Sequence, residues 1–465
     1  MQAAPPSRTN ACKASLARAS SPRRKQRAGM SPASPDVQLP PSLWAAVTPA
    51  GPALPRLEGE VKADVVVIGA GFTGLSAALH LRDAGVDVVV VEAAEPGWGA
   101  SGRNNGQVIP TLTRPEPSDI IGHHGGAGER FVHLLRDSAA YLFDLVRMRA
   151  LAAEAEQTGW LQPAHSAGRM RIAERRVTEW SRYGAPVKLL SRAEMSALVG
   201  SDVWHGGWTN PTGGHINPMA LSRELARVTL AAGGRIFAHS LVTAYARTGS
   251  NWRVETEHGA VTASGLILAT NAYTGEFARD LAPAIARELV PVASWQMATE
   301  PLGEDVRRAF LPGRQAMSDT HGDLHFARYD ARNRLVTGGA LIIGVAGRRR
   351  LEARIGRRLA RWHPRLANVR FDYVWNGWIG MTPDFMPRVH RLGPDGYAWA
   401  ACNGRAVALS VSIGRELARA LLGRQIGELA LPFSAPDPLP AHGLVRRLAP
   451  WRLAAYRWRD AREIA

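Results

Sequence analysis

The sequence predicts an α/β fold, α+β overall, and three observations carry that prediction. Residues 63–92, ADVVVIGAGFTGLSAALHLRDAGVDVVVVE, read as strand, glycine turn, helix, strand and terminal acid in one unit. Runs at 289–298 and 321–338 alternate apolar and polar residues, as strands of an antiparallel sheet do. The length, 465 residues, exceeds what one hydrophobic core supports, so two interlocked domains are expected.

The elements follow in chain order. Residues 1–35 hold no Asp or Glu, are rich in Ala, Ser and Pro, and carry the run Arg23, Arg24, Lys25. This low-complexity composition predicts a disordered N-terminal extension over 1–42. A transit peptide is the competing reading, but no amphipathic period is visible. The apolar run at 64–69 predicts a strand, 74–84 a helix and 86–92 a second strand. Helical patterning recurs at 129–157 and 218–232, strand-like runs at 251–257 and 266–270, and a last unit runs from Tyr373 through a helix at 407–422. The arginine-rich stretch 347–364 reads as an amphipathic helix with a solvated face.

Composition narrows the function. No run approaches the roughly 20 apolar residues of a bilayer-crossing helix, so a cytoplasmic protein without a transmembrane segment is expected. Cys12 and Cys402 are the two cysteines, too few for a disulfide framework or a cysteine metal site, and no metal is expected. A net charge of +17 raises nucleic acid as a partner. Its distribution argues against one: residues 1–60 and 441–465 supply +9 of it, and of the 57 basic side chains all but Lys13, Lys25, Lys62 and Lys188 are arginines, a mark of coding bias. Neither HExxH nor GxSxG occurs, so metal and serine hydrolases find no support.

The opening unit carries a dinucleotide site. Gly69 permits the tight turn, Gly71 lets the backbone approach a pyrophosphate, and Gly74 lets the helix pack on the strand. Free N–H groups and the positive dipole end of the helix then face the phosphates. Glu92 closes the second strand, where a carboxylate accepts from ribose hydroxyls and repels a 2′-phosphate, so NADP is disfavoured. The unit alone does not separate FAD from NAD.

The segments around it do. AAEPGWGASGRNNGQVIPTLTR at 93–114, ATNAYTG at 269–275, VPVASWQMATEPL at 290–302, WNGWIGMTPDFMPRV at 375–389 and ACNGRAVALSVSIGRELARALLG at 401–423 join the approach LWAA at 43–46. From about Leu43 to its end the chain resembles the D-amino acid oxidase-like FAD-dependent oxidoreductases, and within them the gamma-glutamylputrescine oxidoreductase branch. The resemblance implies a Rossmann-like FAD-binding domain assembled from 61–115, 205–288 and 372–425. It also implies an antiparallel-sheet substrate domain from 116–204 and 289–371, and a C-terminal tail, 426–465, packed on the body.

Carried over by motif, Gly69, Gly71, Phe72, Thr73 and Gly74 hold the pyrophosphate of FAD and Glu92 its ribose. Gly99, Ala100, Ser101, Gly102, Asn104, Asn105, Gly106 and Gln107 line the flavin side, with Asn271 and Trp378 as further cofactor contacts. Val242 meets the adenine through its backbone, and Gly404, Arg405, Ala406 and Val407 set a helix N-terminus against the flavin pyrimidine ring. Two positions depart from the family, which has SGRNGGQ where Asn105 stands here and commonly a glycine at Ala406. A need for positive φ at either would strain the site, although Asn tolerates that region better than most residues.

The implied reaction is oxidation of an amine or amino acid, gamma-glutamylputrescine or a related polyamine derivative included, by hydride transfer to flavin N5 and hydrolysis of the imine by water. Dioxygen or another electron acceptor completes the cycle. The rivals are a dehydrogenase serving a quinone or carrier, and a flavin-bearing protein that binds RNA or a partner. Arg328 and His325, in DLHFARYD, are the catalytic-site candidates; a guanidinium there pairs bidentately with a substrate carboxylate, or is a solvated strand arginine. His215 and Arg114 are weaker candidates, Trp378 and Asp384 shape the flavin face, and Trp375 reads as core. The run VRRLAPWRLAAYRWRDAR at 445–462 mixes Arg with Trp and Tyr, and either packs on the body or lies on an anionic membrane surface.

Overall fold

Val65 to Ile68 are buried without interruption, which is why the strand reads as a continuous apolar run: a parallel strand covered on both faces has no solvent side to alternate with. The computed structural model describes residues 37–323, 325–341 and 347–464. In it β1 (Gly59–Ile68) ends at Gly69, whose φ of +102° turns the chain into α1 (Phe72–Asp83). The chain returns as β2 (Val88–Val91), parallel to β1 with Val66 opposite Val89. On the other side of β1 lies β3 (Gly259–Leu268), also parallel, with Leu266 opposite Val66. The sheet has nine strands and runs Phe433–Ser434, Arg388–Gly393, Gly396–Ala400, β3, β1, β2, Arg235–Phe237, with Val242–Thr248 and Asn251–Thr256 branching antiparallel from β3.

A second sheet has eight strands. It begins β7 (Phe371–Met381), β4 (Val290–Pro301), β6 (Arg334–Gly339), β5 (Phe326–Tyr329), and continues Ala316–Ser318, Trp160–Pro163, Gly207–Asn210, Lys188–Leu190. Every neighbouring pair is antiparallel except Ala316–Ser318 with Trp160–Pro163. The strands move three edges of the expected division. Gly207–Asn210 and β7 pair in the second sheet rather than with the dinucleotide unit, and Phe433–Ser434, assigned to the tail, pairs in the first. Two interlocked domains with these edges remain our proposal.

α2 (Val407–Leu421) packs on α1, with Ser76 Oγ donating to the Val411 carbonyl at 2.7 Å. α3 (His442–Ile464) is the last helix. The helix expected over 129–157 spans Pro117–Met148 instead. It begins early at Pro117, where the Glu116 N–H donates to Asp119 in a capping box, kinks at Gly125 (φ 56°, ψ −136°), and its second segment, which holds the expected stretch, stops because Ala150 turns left-handed at φ 46°. The arginine-rich helix Gly347–Trp362 is not wholly solvated, since Arg358 is buried and donates to Thr337 Oγ1 and the Gly338 carbonyl.

Residues 1–36, where most of the disordered extension was expected, lie outside the described residues. Residues 37–42 do not fit that expectation: the Gln38 carbonyl accepts from Trp98 Nε1 at 3.0 Å, and Ser42 caps the helix Leu43–Val47. No helix among the described residues is long and apolar enough to cross a membrane.

Candidate active site

A narrow cleft opens at the end of β1. Gly69, Gly71, Phe72, Thr73, Glu92, Gly99, Val242 and Asn271 line it. Gly74 sits beneath, and a Cβ there would lie 2.0 Å from the Gly69 carbonyl oxygen, so only glycine lets α1 approach this closely. The Gly71 N-cap offers no side-chain cap, and the Phe72 N–H donates to Ser101 Oγ at 3.0 Å, which ties the helix start to the loop that follows β2. Glu92 accepts from the Ala70 N–H (2.7 Å) and the Ala94 N–H (3.0 Å), and burial raises its pKa. Trp98, Tyr273 and Phe277 complete the cleft as an aromatic cluster, Trp98 lying 5.7 Å from Tyr273 and 5.2 Å from Phe277. Trp98 and Tyr273 lie within the stretches 93–114 and 269–275 but are not singled out there as site residues, and Phe277 lies outside both.

The loop 100–107 is pinned from behind. Three successive carbonyls each receive a bond from a different buried side chain: Arg103 from Trp375 Nε1 (2.8 Å), Asn104 from Trp44 Nε1 (2.8 Å) and Asn105 from Arg328 Nε (2.8 Å). Arg328 also donates to the Tyr329 and Ile216 carbonyls and lies 4.5 Å over the Trp44 ring. Its guanidinium is spent on backbone carbonyls away from the cavity, so Arg328 does not present the carboxylate clamp expected of it; it holds the loop. Gly102 and Gly106 likewise position rather than line: a Cβ on Gly106, at φ +77°, would meet the Ile216 carbonyl at 2.1 Å. The two family departures carry no strain. Asn105 is not among the residues with positive φ, and Ala406 has φ −138°. Asn105 Oδ1 accepts from the Gln107 N–H at 2.9 Å.

Through Phe72, Ala100, Ser101 and Asn271 the cleft joins a cavity of about 1050 Å³. Asn104, Asn105, Gln107, Trp378, Gly404, Arg405, Ala406 and Val407 line it, the last four at the start of α2, whose N-cap Ala406 supplies no side-chain acceptor. Both helix ends therefore turn uncapped, dipole-positive ends to one continuous slot. Arg405 is buried there; Nη1 donates to Thr111 Oγ1 and the Leu112 carbonyl, while Nε and Nη2 find no partner among the described residues. Burial and then Arg176 push its pKa well down, so a bound group carrying negative charge would relieve it. Glycine cradle, uncapped helix ends and orphaned buried donors fit FAD, its pyrophosphate at α1 and its flavin at α2.

His325 lies behind the cavity wall. Its Nε2 is 3.0 Å from Asp323, and its ring stacks at 4.0 Å on His321, which stacks at 3.9 Å on His165. Burial lowers its pKa, but Asp319 and Asp323 more than offset this and leave it raised. Asp319, His321 and His325 bring ligand atoms within 4.8 Å of one another, a grouping unseen in a reading that expected no metal ligands. His215 is buried with Nε2 3.0 Å from the Arg314 carbonyl, Asp384 pairs with Arg388 at 2.8 Å, and neither lines the cavity. Arg114 does. It sits 4.3 Å over Phe385 and 4.7 Å over Tyr456, a residue of α3. Sequence reasoning missed most of this wall: Glu116, Gln162 and Arg176, a buried ion pair of 2.5 Å with Gln162 accepting from Arg176 at 2.8 Å, and the α3 residues Val445, Ala449, Arg452, Leu453 and Tyr456.

A dinucleotide cleft at one helix start that shares its wall with a larger cavity at a second fits a flavin-dependent oxidoreductase. Residues 64–420 match the family model described as FAD dependent oxidoreductase (DAO), and the chain belongs to that family. It is 32% identical over 371 residues to gamma-glutamylputrescine oxidoreductase of Escherichia coli, covering 79% of this chain and 85% of that one. It is 31% identical over 366 residues to the probable oxidoreductase OrdL of Haemophilus influenzae, covering 78% and 83%. Among solved structures, glycine oxidase from Geobacillus kaustophilus superposes with a TM-score of 0.68 at 18% identity, over 82% of this chain and all (100%) of that one. L-proline dehydrogenase from P. horikoshii gives 0.67 at 18% identity, over 82% and 98%. These two likenesses speak for the fold.

Proposed function

We propose that this chain oxidises an amine that also carries a carboxylate, with gamma-glutamylputrescine or a related polyamine derivative as the leading substrate and dioxygen as the electron acceptor. The observation that carries the reading is the charge of the cavity wall. Arg103, Arg114, Arg169, Arg171, Arg175, Arg176, Arg405, Arg452 and Arg459 line it against the acids Glu116 and Asp323. Arg176 is spent on Glu116, Arg169 on Glu463 and Arg175 on Glu179. Arg114 and Arg452 form no ion pair among the described residues, and both face the rings of Phe385 and Tyr456, at 4.3 and 4.7 Å for Arg114 and 5.6 and 5.8 Å for Arg452. Burial lowers the Arg114 pKa, so a carboxylate arriving there is paired by a partly desolvated cation.

Bound FAD supplies the two-electron acceptor for C–N oxidation. The chain supplies placement: Arg114 and Arg452 hold the substrate carboxylate, the pinned loop 100–107 fixes the cofactor side, and the inner face of α3 keeps water from the wall. Identity to the Escherichia coli enzyme supports the amine class. The test is a steady-state comparison of gamma-glutamylputrescine with putrescine, which lacks the carboxylate, on wild type and Arg114→Met. The reading expects KM for gamma-glutamylputrescine to rise about tenfold or more in the variant, the loss of a charge-assisted pair, with putrescine unchanged. Equal effects on both amines would contradict it. Peroxide released in step with turnover supports dioxygen; turnover that needs an added quinone and releases none would give the acceptor to a quinone.

A further inference from the structure

Along its outer edge α3, which holds Pro450 within it, carries a stripe that nothing among the described residues covers and that reaches the cavity at Leu448. Leu444, Leu448, Trp451 and Trp458 are 56%, 52%, 61% and 64% exposed, and with Ala455 they step along the helix by four, three, four and three residues, the period that keeps side chains on one face. Exposed large apolar residues are ordinary singly and informative as a contiguous row. Arginines flank the row. Arg447 and Arg462 are exposed without an ion pair among the described residues, Arg462 lying 4.5 Å over the Trp458 ring. The two acids of the helix face the other way: Asp460 accepts from the Gly322 N–H at 2.7 Å, and Glu463 pairs with Arg169.

We propose that α3 docks this protein on an anionic lipid bilayer, with the Trp451 and Trp458 row entering the headgroup boundary and Arg447 and Arg462 meeting the lipid phosphates. Charge decides the occupant. A second copy packed across a two-fold axis would set arginine rim against arginine rim with no acid between them, whereas an anionic bilayer supplies apolar depth and negative charge together. The inner face of the same helix lines the cavity through Val445, Ala449 and Tyr456, and Leu448 of the row stands at its rim, so docking also brings that rim to the bilayer. The proposal does not depend on which amine is oxidised.

Flotation of the full-length protein with extruded vesicles tests it, using phosphatidylcholine alone and phosphatidylcholine mixed with phosphatidylglycerol. Binding is expected to the anionic vesicles, weakened by added salt, and not to the neutral ones. Trp451→Ser with Trp458→Ser, and separately Arg447→Glu with Arg462→Glu, should each lower the partition coefficient about tenfold or more. All four side chains are exposed, so unchanged circular dichroism and gel-filtration volume show that the fold survives. The basic leading segment could itself attract anionic vesicles, and binding that both variants retain at full strength would overturn the proposal. So would failure of the wild type to float at low salt, or a dimer by light scattering that the Trp variant dissociates.

Discussion

At Gly74 the fold tolerates nothing larger, because a Cβ would stand 2.0 Å from the Gly69 carbonyl oxygen. Gly74→Ala should therefore open the cleft and empty it of FAD, read as loss of the flavin absorbance ratio in purified protein; a variant with full flavin content would contradict the account. Arg328 makes a second test. Replacing it by Met leaves the Asn105, Ile216 and Tyr329 carbonyls unpaired, and unfolding should cost about 2–4 kcal/mol less, with KM of the folded fraction unmoved. A large KM change at unaltered stability would restore the carboxylate clamp. The two residues differ in how far their meaning travels. Gly69, Gly71, Gly74 and Glu92 act on neighbours within one strand–helix–strand unit, so their spacing was legible. Arg328 meets a carbonyl 223 residues earlier in the chain, and no local pattern records that.

Among elements, α3 is held at its far end by charge. Arg169 pairs with Glu463 at 2.5 Å and Arg457 with Asp323 at 2.9 Å, beside the stacked rings of His165, His321 and His325. The folded pKa of His325 lies above its ordinary value, so its charge stabilises the fold at pH below the unfolded pKa, and that contribution is lost as pH rises through the folded one. Thermal melts of wild type and His325→Gln should accordingly differ most below about pH 6.5, the ordinary histidine value, and converge as pH rises above it; a constant difference would remove the charge from the account. The helices and strands themselves were legible where apolar period was strong, as in β1, α1 and α2. The start of Pro117–Met148 was not, because its capping box lies outside the periodic stretch. Nor was the cavity-lining face of α3, since a helix that packs across a cavity shows arginine and aromatics on both its faces.

For the whole molecule, the two sheets and the continuous slot between the starts of α1 and α2 place an FAD site beside an arginine-lined chamber. The family was readable from the motifs in and around the strand–helix–strand unit; the chamber wall was not, because it is gathered from 114, 116, 162, 176, 320–323 and α3. The central claim is that this chamber presents a carboxylate-bearing amine for oxidation with FAD bound. The most direct measurement is the visible spectrum of the purified protein before and after anaerobic addition of gamma-glutamylputrescine. The account predicts an oxidised flavin spectrum that bleaches on addition and returns when air is admitted. A colourless protein that FAD does not reconstitute, or a yellow one that neither this amine nor any other carboxylate-bearing amine bleaches, would contradict it.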